Sequence, residues 1–121
     1  MAFAKAAVTF RASASNAATA TTTGGTIDLR AVQGPVLCCA KITNGATGPT
    51  VACDFVVQVS QDNFTTTYEL FRATAGVANN GIYQFAVELS PAVMYARVVF
   101  TGNTGQAVTV ESYGQSLSTY S

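Results

Sequence analysis

The chain has 121 residues, of which 49% are hydrophobic and only 10% are charged, with six basic and six acidic side chains and no histidine. A chain of this length forms one domain, and its charged fraction is far below the roughly 25% of ordinary soluble domains. Because the charges cancel, no long-range field attracts nucleic acid or an anionic membrane, and no apolar run approaches the roughly 20 residues that span a bilayer. We therefore expect neither nucleic acid nor a membrane as a partner.

The first 25 residues differ in composition from the rest of the chain. We predict an N-terminal segment or arm over residues 1–25 and a β-sandwich domain over residues 26–121. A short strand is predicted at residues 6–11. Arg11 interrupts the apolar patch at the start, which is then shorter than the roughly 7 to 15 residues of a signal-peptide core. We therefore expect synthesis in a cell cytoplasm without export.

Small polar residues dominate residues 11–25, which end in Gly24-Gly25. Such a composition indicates a flexible lead-in to the domain. A second interpretation is an arm that becomes ordered only on a neighbouring subunit, since flexible segments often fold on binding. On this second interpretation Asn16 and Thr21 are candidate contact residues.

Alternation of apolar and polar residues with a period of two recurs through the remaining chain, which is typical of half-buried strands. In residues 51–60, for example, Cys53 and Phe55 share one face and Asp54 and Gln58 share the other. Together with residues 6–11 the pattern predicts eight strands. The other six segments are residues 27–32, 36–43, 68–74, 82–89, 94–101 and 107–113.

Turn signals separate these segments, among them Asn79-Asn80-Gly81 and Ser90-Pro91. Asn and Gly tolerate a positive φ, and Pro ends ladder pairing. Short strands at this spacing favour a β-sandwich. We predict an all-β fold: a single β-sandwich of about eight antiparallel strands, jelly-roll-like, with a flexible N-terminal segment.

One connection is predicted in more detail. The strands at residues 55–60 and 68–74 are expected to be neighbours, joined by residues 61–67. The side chains of Asp62 and Asn63 are expected to bond to the backbone of this turn.

The residues that usually carry catalysis are missing from the sequence. Without histidine there is no Ser-His or Cys-His pair, and most zinc and iron sites are excluded. The six carboxylates are predicted on outward or turn positions of separate strands, which does not suit a catalytic pair. We therefore predict no catalytic residue, no metal site and no cofactor, and we predict that the chain is not an enzyme.

Three cysteines remain to be placed. Cys38 and Cys39 are adjacent on one strand and must face opposite sides, so that at most one of them can face Cys53. Either Cys39 and Cys53 form a bridge, or the three remain buried free thiols. The second interpretation is favoured, because an unpaired cysteine packs as a small apolar side chain.

The low charge also predicts self-association. Val56 interrupts the polar face of its strand, and Val98-Val99 places apolar groups on both faces of another. Large apolar side chains of this kind are usually covered in permanent interfaces. We expect a homo-oligomer, with a cyclic trimer ahead of other states.

Two stretches resemble a known class of protein: KITNGATGPTVACDFVVQVSQDNFTTTYELF at residues 41–71 and LSPAVMYARVVFTGNTGQAVTVESYG at residues 89–114. They are similar to small β-sandwich structural proteins of tailed-bacteriophage virions. In those proteins a Val-rich strand ends in a Ser-x-Asp turn, and a later Tyr-x-Arg-Val strand precedes a Gly-Asn-Thr-Gly hairpin and a Val-x-Val strand. The matching residues are Ser60, Asp62, Tyr95, Arg97, Val98, Gly102 to Gly105, Val108 and Val110.

The resemblance implies a capsid decoration (cement) protein: a non-enzymatic jelly-roll trimer over junctions between major capsid proteins, located on the capsid surface of the virion. Two alternatives remain. One is a tail, neck or baseplate accessory protein of a phage; the other is a carbohydrate-binding β-sandwich module that uses exposed tyrosines or a calcium site near residues 61–64. The candidate subunit or capsid contacts are Val56, Tyr95, Arg97, Val98, Asn16 and Thr21.

Overall fold

A computed structural model describes the backbone of residues 3–32 and 34–120 and the side chains of residues 5–32 and 34–116. This part of the chain forms nine β-strands and contains no helix, so that no helix in it could cross a membrane. The strands are β1 (Phe3–Asn16), β2 (Thr22–Thr23), β3 (Ile27–Asp28), β4 (Val36–Asn44), β5 (Asp54–Ser60), β6 (Tyr68–Thr74), β7 (Ile82–Leu89), β8 (Tyr95–Thr101) and β9 (Val108–Tyr120).

The strands form two antiparallel sheets. The first sheet has the order β1-β9-β4-β7, and the second has the order β2-β8-β5-β6, with β3 also paired to β8. Since β2 and β3 follow one another along the same side of β8, they occupy a single strand position. The sandwich therefore has eight positions in the order of a jelly roll. The predicted all-β, jelly-roll-like sandwich is confirmed.

Alternation along the strands places one face of each sheet in a shared core. In β4 every second side chain is buried, from Val36 to Ile42, while the residues between them are half-buried. Phe55 joins the sheets: its ring centroid lies 5.4 Å from that of Phe100 in the second sheet and 6.2 Å from that of Phe85 in the first. The core is thus closed by aromatic contacts between the layers.

The N-terminal region differs from the sequence expectation. Residues 1 and 2 lie outside the described part, but β1 pairs with β9 from Phe3 opposite Tyr120 to Asn16 opposite Val108. After a turn, residues 22 and 23 form β2 against β8. Within residues 11–25, residues 11–16 and 22–23 thus pair with strands of their own chain and belong to the two sheets of the sandwich. The reason is that β9 is long enough to pair with the small residues at the end of β1, and backbone pairing needs no large apolar side chains.

Candidate interaction surfaces

Three of the predicted contact residues have little exposed surface. Val98 is 0% exposed and belongs to the core, Val56 is 2% exposed, and Tyr95 is 9% exposed. Val56 does point to the outer face of the second sheet, but Arg72 lies opposite it and reaches across to Asp54 at 2.6 Å. The structure thus corrects the expectation that Val56 and Val98 expose apolar surface.

The half-buried Arg97 is held within the second sheet. Its Nε donates a hydrogen bond to Oε1 of Gln58 at 2.8 Å, and its guanidinium carbon lies 4.1 Å from the centre of the Phe64 ring. A cation over an aromatic face is an attractive contact. Arg97 is therefore held by an amide and an aromatic ring of its own chain.

The connection between β5 and β6 positions Phe64. The Ser60 hydroxyl accepts hydrogen bonds from the backbone N–H groups of Asp62 and Phe64, at 3.2 and 2.8 Å. The Asp62 carboxylate accepts from the backbone of Thr66 at 2.8 Å and lies 2.7 Å from the Ser60 hydroxyl, and these bonds lower the pKa of Asp62. Asn63 and Phe64 adopt left-handed backbone angles, with φ of 55° and 64°. The turn is an internally bonded cap on the second sheet, in line with the bonding predicted for Asp62.

Ion pairs occupy much of the remaining outer face of the second sheet. Arg72 binds Asp54 and Glu69, at 2.6 and 2.8 Å. Arg30 binds Asp28 at 2.8 Å and lies 5.0 Å from the centre of the Tyr95 ring. The hydrogen bonds from Arg30 lower the pKa of Asp28 to about 2. Charged groups on this face are thus satisfied by neighbours in the same chain.

Asn16 and Thr21 take different roles near the end of β1. Asn16 is fully buried, and its side chain meets that of Asn103, whose Nδ2 donates to the backbone oxygens of Asn16 and Gln106 at 3.2 and 3.0 Å. These bonds tie the β1–β2 turn to the turn after β8. Thr21 is exposed, and its hydroxyl lies 2.8 Å from that of Thr101. Of the two, only Thr21 has a surface that a partner could reach.

The outer face of the first sheet is different in character. A shallow recess of about 480 Å³ crosses it. The only ion pair among its described lining residues joins Lys41 Nζ to Glu111 Oε1 at 3.0 Å. Tyr113 stands at one side, 43% exposed, and its hydroxyl accepts a hydrogen bond from the backbone of Ser13 at 3.3 Å. We call this surface the first-sheet recess; it is lined by Cys39, Ala40, Lys41, Gln84, Phe85, Ala86, Glu111 and Tyr113.

The first-sheet recess was not expected from the sequence. The sequence does contain a sign of it: Cys39, Gln84 and Ala86 occupy outward positions of their strands, where charged residues are common. A second recess of about 320 Å³ lies further along the same sheet. It is lined by Lys5, Pro35, Leu37, Glu88, Gln115 and Ser116.

The three thiols are free. Cys38 and Cys53 are buried, and burial raises the pKa of each thiol to about 11. Cys39 faces the first-sheet recess, so that Cys38 and Cys39 do lie on opposite sides of β4, as their adjacency predicted. Cys39 and Cys53 are therefore on different sides of the first sheet and are not bridged. Among the described residues no group of three or more His, Cys, Asp and Glu side chains could hold a metal ion.

No known protein family and no curated protein matches the sequence. Solved structures do match the fold. The K3 cleaved adhesin domain of Lys-gingipain from Porphyromonas gingivalis w83 has a TM-score of 0.56 and 11% identity, over 84% of this chain and 72% of that chain. A chain of the Bacillus endospore appendages, described as disulfide-linked pili, has a TM-score of 0.56 and 11% identity, over 97% and 90%.

A third similar structure comes from a virus. A chain of the T13 viral particle of infectious bursal disease virus has a TM-score of 0.55 and 8% identity, and the match covers 95% of this chain and 31% of that longer chain. An adhesin domain, a pilus and a viral particle thus all contain chains of this architecture. At these identities the likeness extends to the fold alone, and the chain is a β-sandwich similar to all three.

Proposed function

We propose that this chain is a non-enzymatic structural protein of a virion, and that it acts as a capsid decoration protein which stabilises the head of a tailed phage. The resemblance of residues 41–71 and 89–114 to virion proteins supports this role. The low charge supports it as well, since a surface poor in charge suits a chain that is permanently bound to other subunits. Its partners would be further copies of itself, as a homotrimer, and the major capsid protein or another virion protein.

The observation that carries the proposal is the contrast between the two outer faces of the sandwich. The second sheet holds its arginines in contacts with its own chain. The first sheet exposes a recess whose outward side chains are small, amide or aromatic, apart from Lys41 and Glu111, whose charges pair with each other. Interface centres are typically depleted in charge and enriched in tyrosine. We therefore assign the first-sheet recess, with Tyr113 at its side, as the surface that meets the capsid.

The test uses capsids that lack this chain. Adding the purified protein should saturate a fixed number of sites and raise the temperature at which the capsids break open. Tyr113→Asp should weaken this binding. The matched control is Tyr68→Asp. Tyr68 is 54% exposed but lies on the other sheet, so that this substitution removes an exposed tyrosine and leaves the first-sheet recess unchanged. Capsids whose disruption temperature does not change with excess wild-type protein would argue strongly against the proposal.

A tail, neck or baseplate accessory protein would use the same features in another part of the virion. Copy number separates the two roles. Hundreds of copies in each purified particle support decoration, whereas tens or fewer support the tail.

A second candidate function is carbohydrate binding, and Tyr113 is the observation that favours it. Its exposed ring stands beside the polar groups of Gln84 and Glu111 in the same recess. An aromatic face with adjacent hydrogen-bonding groups is a suitable platform for a sugar. A glycan array with and without calcium tests this function, and an array that is blank in both conditions would remove it.

A further inference from the structure

The edges of the two sheets differ in how well they are protected against pairing with another molecule. In the described part of the chain the first sheet ends at β1 and β7, and the second ends at β6 and at the position shared by β2 and β3. An edge strand exposes unpaired backbone N–H and C=O groups, which can pair with a strand of another molecule. Proteins protect such edges with short strands, bulges or charges.

Both edges of the second sheet carry such protection, and β1 carries it outside residues 5–9. The strands β2 and β3 have two residues each. In β6 the register shifts so that Leu70 is left without a partner in β5, and the flanking Glu69 and Arg72 are charged. The pairing of β1 with β9 contains three register shifts, although residues 5–9 between them are regular.

The fourth edge, β7, is not protected in these ways. Its eight residues pair with β4 without a register shift, from Ile82 opposite Thr43 to Leu89 opposite Val36. The strand contains no Pro or Gly and a single charge, Glu88. Ile82 is the most exposed of the large hydrophobic side chains in the described part, at 60%. A regular, exposed and largely uncharged edge of this kind is a template for strand addition.

We propose that β7 of one molecule pairs with the β1 edge of a second copy, so that the first sheet continues from one molecule into the next. Strand direction supports this pairing. All neighbours in the order β1-β9-β4-β7 are antiparallel, so that β1 and β7 run in opposite directions. If a second copy lies beside the first so that the first sheet continues, β1 of the second copy is therefore antiparallel to β7 of the first.

Charge supports the same pairing. Within the described residues, Glu88 has neither an ion pair nor a side-chain hydrogen bond, and the exposed Lys5 has no ion pair. Both side chains line the second recess, so that they lie on the same face and toward the same end of the sheet. Within one molecule β1 and β7 are three strand spacings apart, roughly 14 Å. In the repeat, Lys5 of the second copy comes beside Glu88 of the first.

This arrangement is head-to-tail, because it joins two different edges. Such contacts close into a ring or continue as an open chain. A closed ring of three would be the trimer expected from composition. The inference rests on the self-association in the proposed function and adds to it the surface that each copy uses.

The experiment combines cross-linking with charge reversal on the full chain. Unlabelled and ¹⁵N-labelled protein are mixed and treated with a carbodiimide, a zero-length cross-linker. Cross-linked peptides that join Lys5 to Glu88 are then identified by mass spectrometry. We expect peptides of mixed isotope composition, which can form only between molecules. Glu88→Lys or Lys5→Glu should raise the dissociation constant of self-association by roughly 3- to 10-fold, given the usual strength of cross-strand charge pairs. The double reversal should restore it.

Glu69→Lys is the control for charge reversal: it makes the same charge change on β6, where it also breaks the ion pair with Arg72, and should leave self-association unchanged. Amide hydrogen exchange adds an independent readout: on assembly every second amide of β7 should become protected. A monomer at all concentrations, or an oligomer without mixed-isotope peptides and without this protection, would overturn the inference. A monomer that still stabilises capsids would overturn the inference and leave only the capsid-stabilising role of the proposed function. The cross-link without any effect on capsids would support the inference and argue against that role.

Discussion

Ser60 organises the connection between β5 and β6 through one buried hydroxyl. This hydroxyl accepts bonds from two backbone N–H groups and lies within bonding distance of Asp62 Oδ1 and the Thr66 carbonyl, both at 2.7 Å. We predict that Ser60→Ala lowers the free energy of unfolding by about 1–3 kcal/mol, because two N–H groups lose their acceptor. Urea unfolding followed by circular dichroism measures this. Ser15→Ala, at an exposed position of β1, is the control, and equal stability of the two variants would contradict the prediction.

Asp62 gives the same turn a dependence on pH. Its pKa is lowered in the folded state by the hydrogen bonds from Thr66 and Ser60, below the usual value of about 3.9. The carboxylate therefore stabilises the fold fully above that usual value, and this contribution is lost as the pH falls through the folded pKa. Asp62→Asn keeps an acceptor oxygen but cannot titrate. We expect the melting temperature of the wild type to fall more steeply below about pH 4 than that of Asp62→Asn.

A scan of melting temperature against pH on both proteins tests this expectation. Gln61→Ala, at an exposed and uncharged position of the same connection, is the control and should follow the wild type. Parallel curves for the wild type and Asp62→Asn would show that Asp62 does not contribute.

The position of a single side chain could be predicted from the sequence where it depends only on neighbouring residues in the chain. The bonding of Asp62 and the opposite faces of Cys38 and Cys39 follow from local geometry. The prediction was wrong for Val56 and Val98, because alternation does not say which face of a strand is covered. Arg72 comes over Val56 from another strand, and such cross-strand cover cannot be seen in the sequence.

At the scale of elements, the link between β2 and β3 depends on a glycine. Gly24 is buried, and its N–H donates to the Val98 carbonyl at 2.8 Å. A Cβ at this position would overlap the backbone oxygen of Phe10, whereas a Cβ on the neighbouring Gly25 would meet nothing within 4 Å. Only Gly24 therefore allows the edge of the second sheet to lie directly over β1.

The two glycines form a matched pair of variants. We predict that Gly24→Ala lowers the free energy of unfolding by about 1–3 kcal/mol through overpacking against the backbone. Gly25→Ala should change it by less than about 0.5 kcal/mol, as is usual for exposed positions. Urea unfolding of both variants is sufficient, and similar losses for the two would contradict the structural argument.

The predicted elements agree with the structure where large apolar residues alternate. The strands β6 and β7 have the predicted bounds, residues 68–74 and 82–89. The strands β1 and β9 are longer than predicted, since many of their additional residues are Ala, Ser or Thr and give no hydrophobic period. These residues form strands because the backbones of β1 and β9 pair with each other.

At the scale of the whole molecule, Phe55 joins the two layers. Its ring contacts Phe71 and Phe100 in the second sheet and Phe85 in the first. We predict that Phe55→Ala lowers the free energy of unfolding by about 3–5 kcal/mol, since it opens a cavity between the sheets. Leu70→Ala, at an exposed position of β6, is the control and should stay within about 0.5 kcal/mol. A loss below 1 kcal/mol for Phe55→Ala would mean that the layers do not depend on this contact.

The pairing of β1 with β9 joins the two ends of the described chain, from residue 3 beside residue 120. During synthesis β1 is made long before β9, and it has no partner in the first sheet until β9 has been made. The first sheet therefore cannot be completed before residue 120 has left the ribosome. Contacts between such distant residues are formed slowly, so that apolar side chains of β1 such as Phe10 stay uncovered until β9 pairs with this strand.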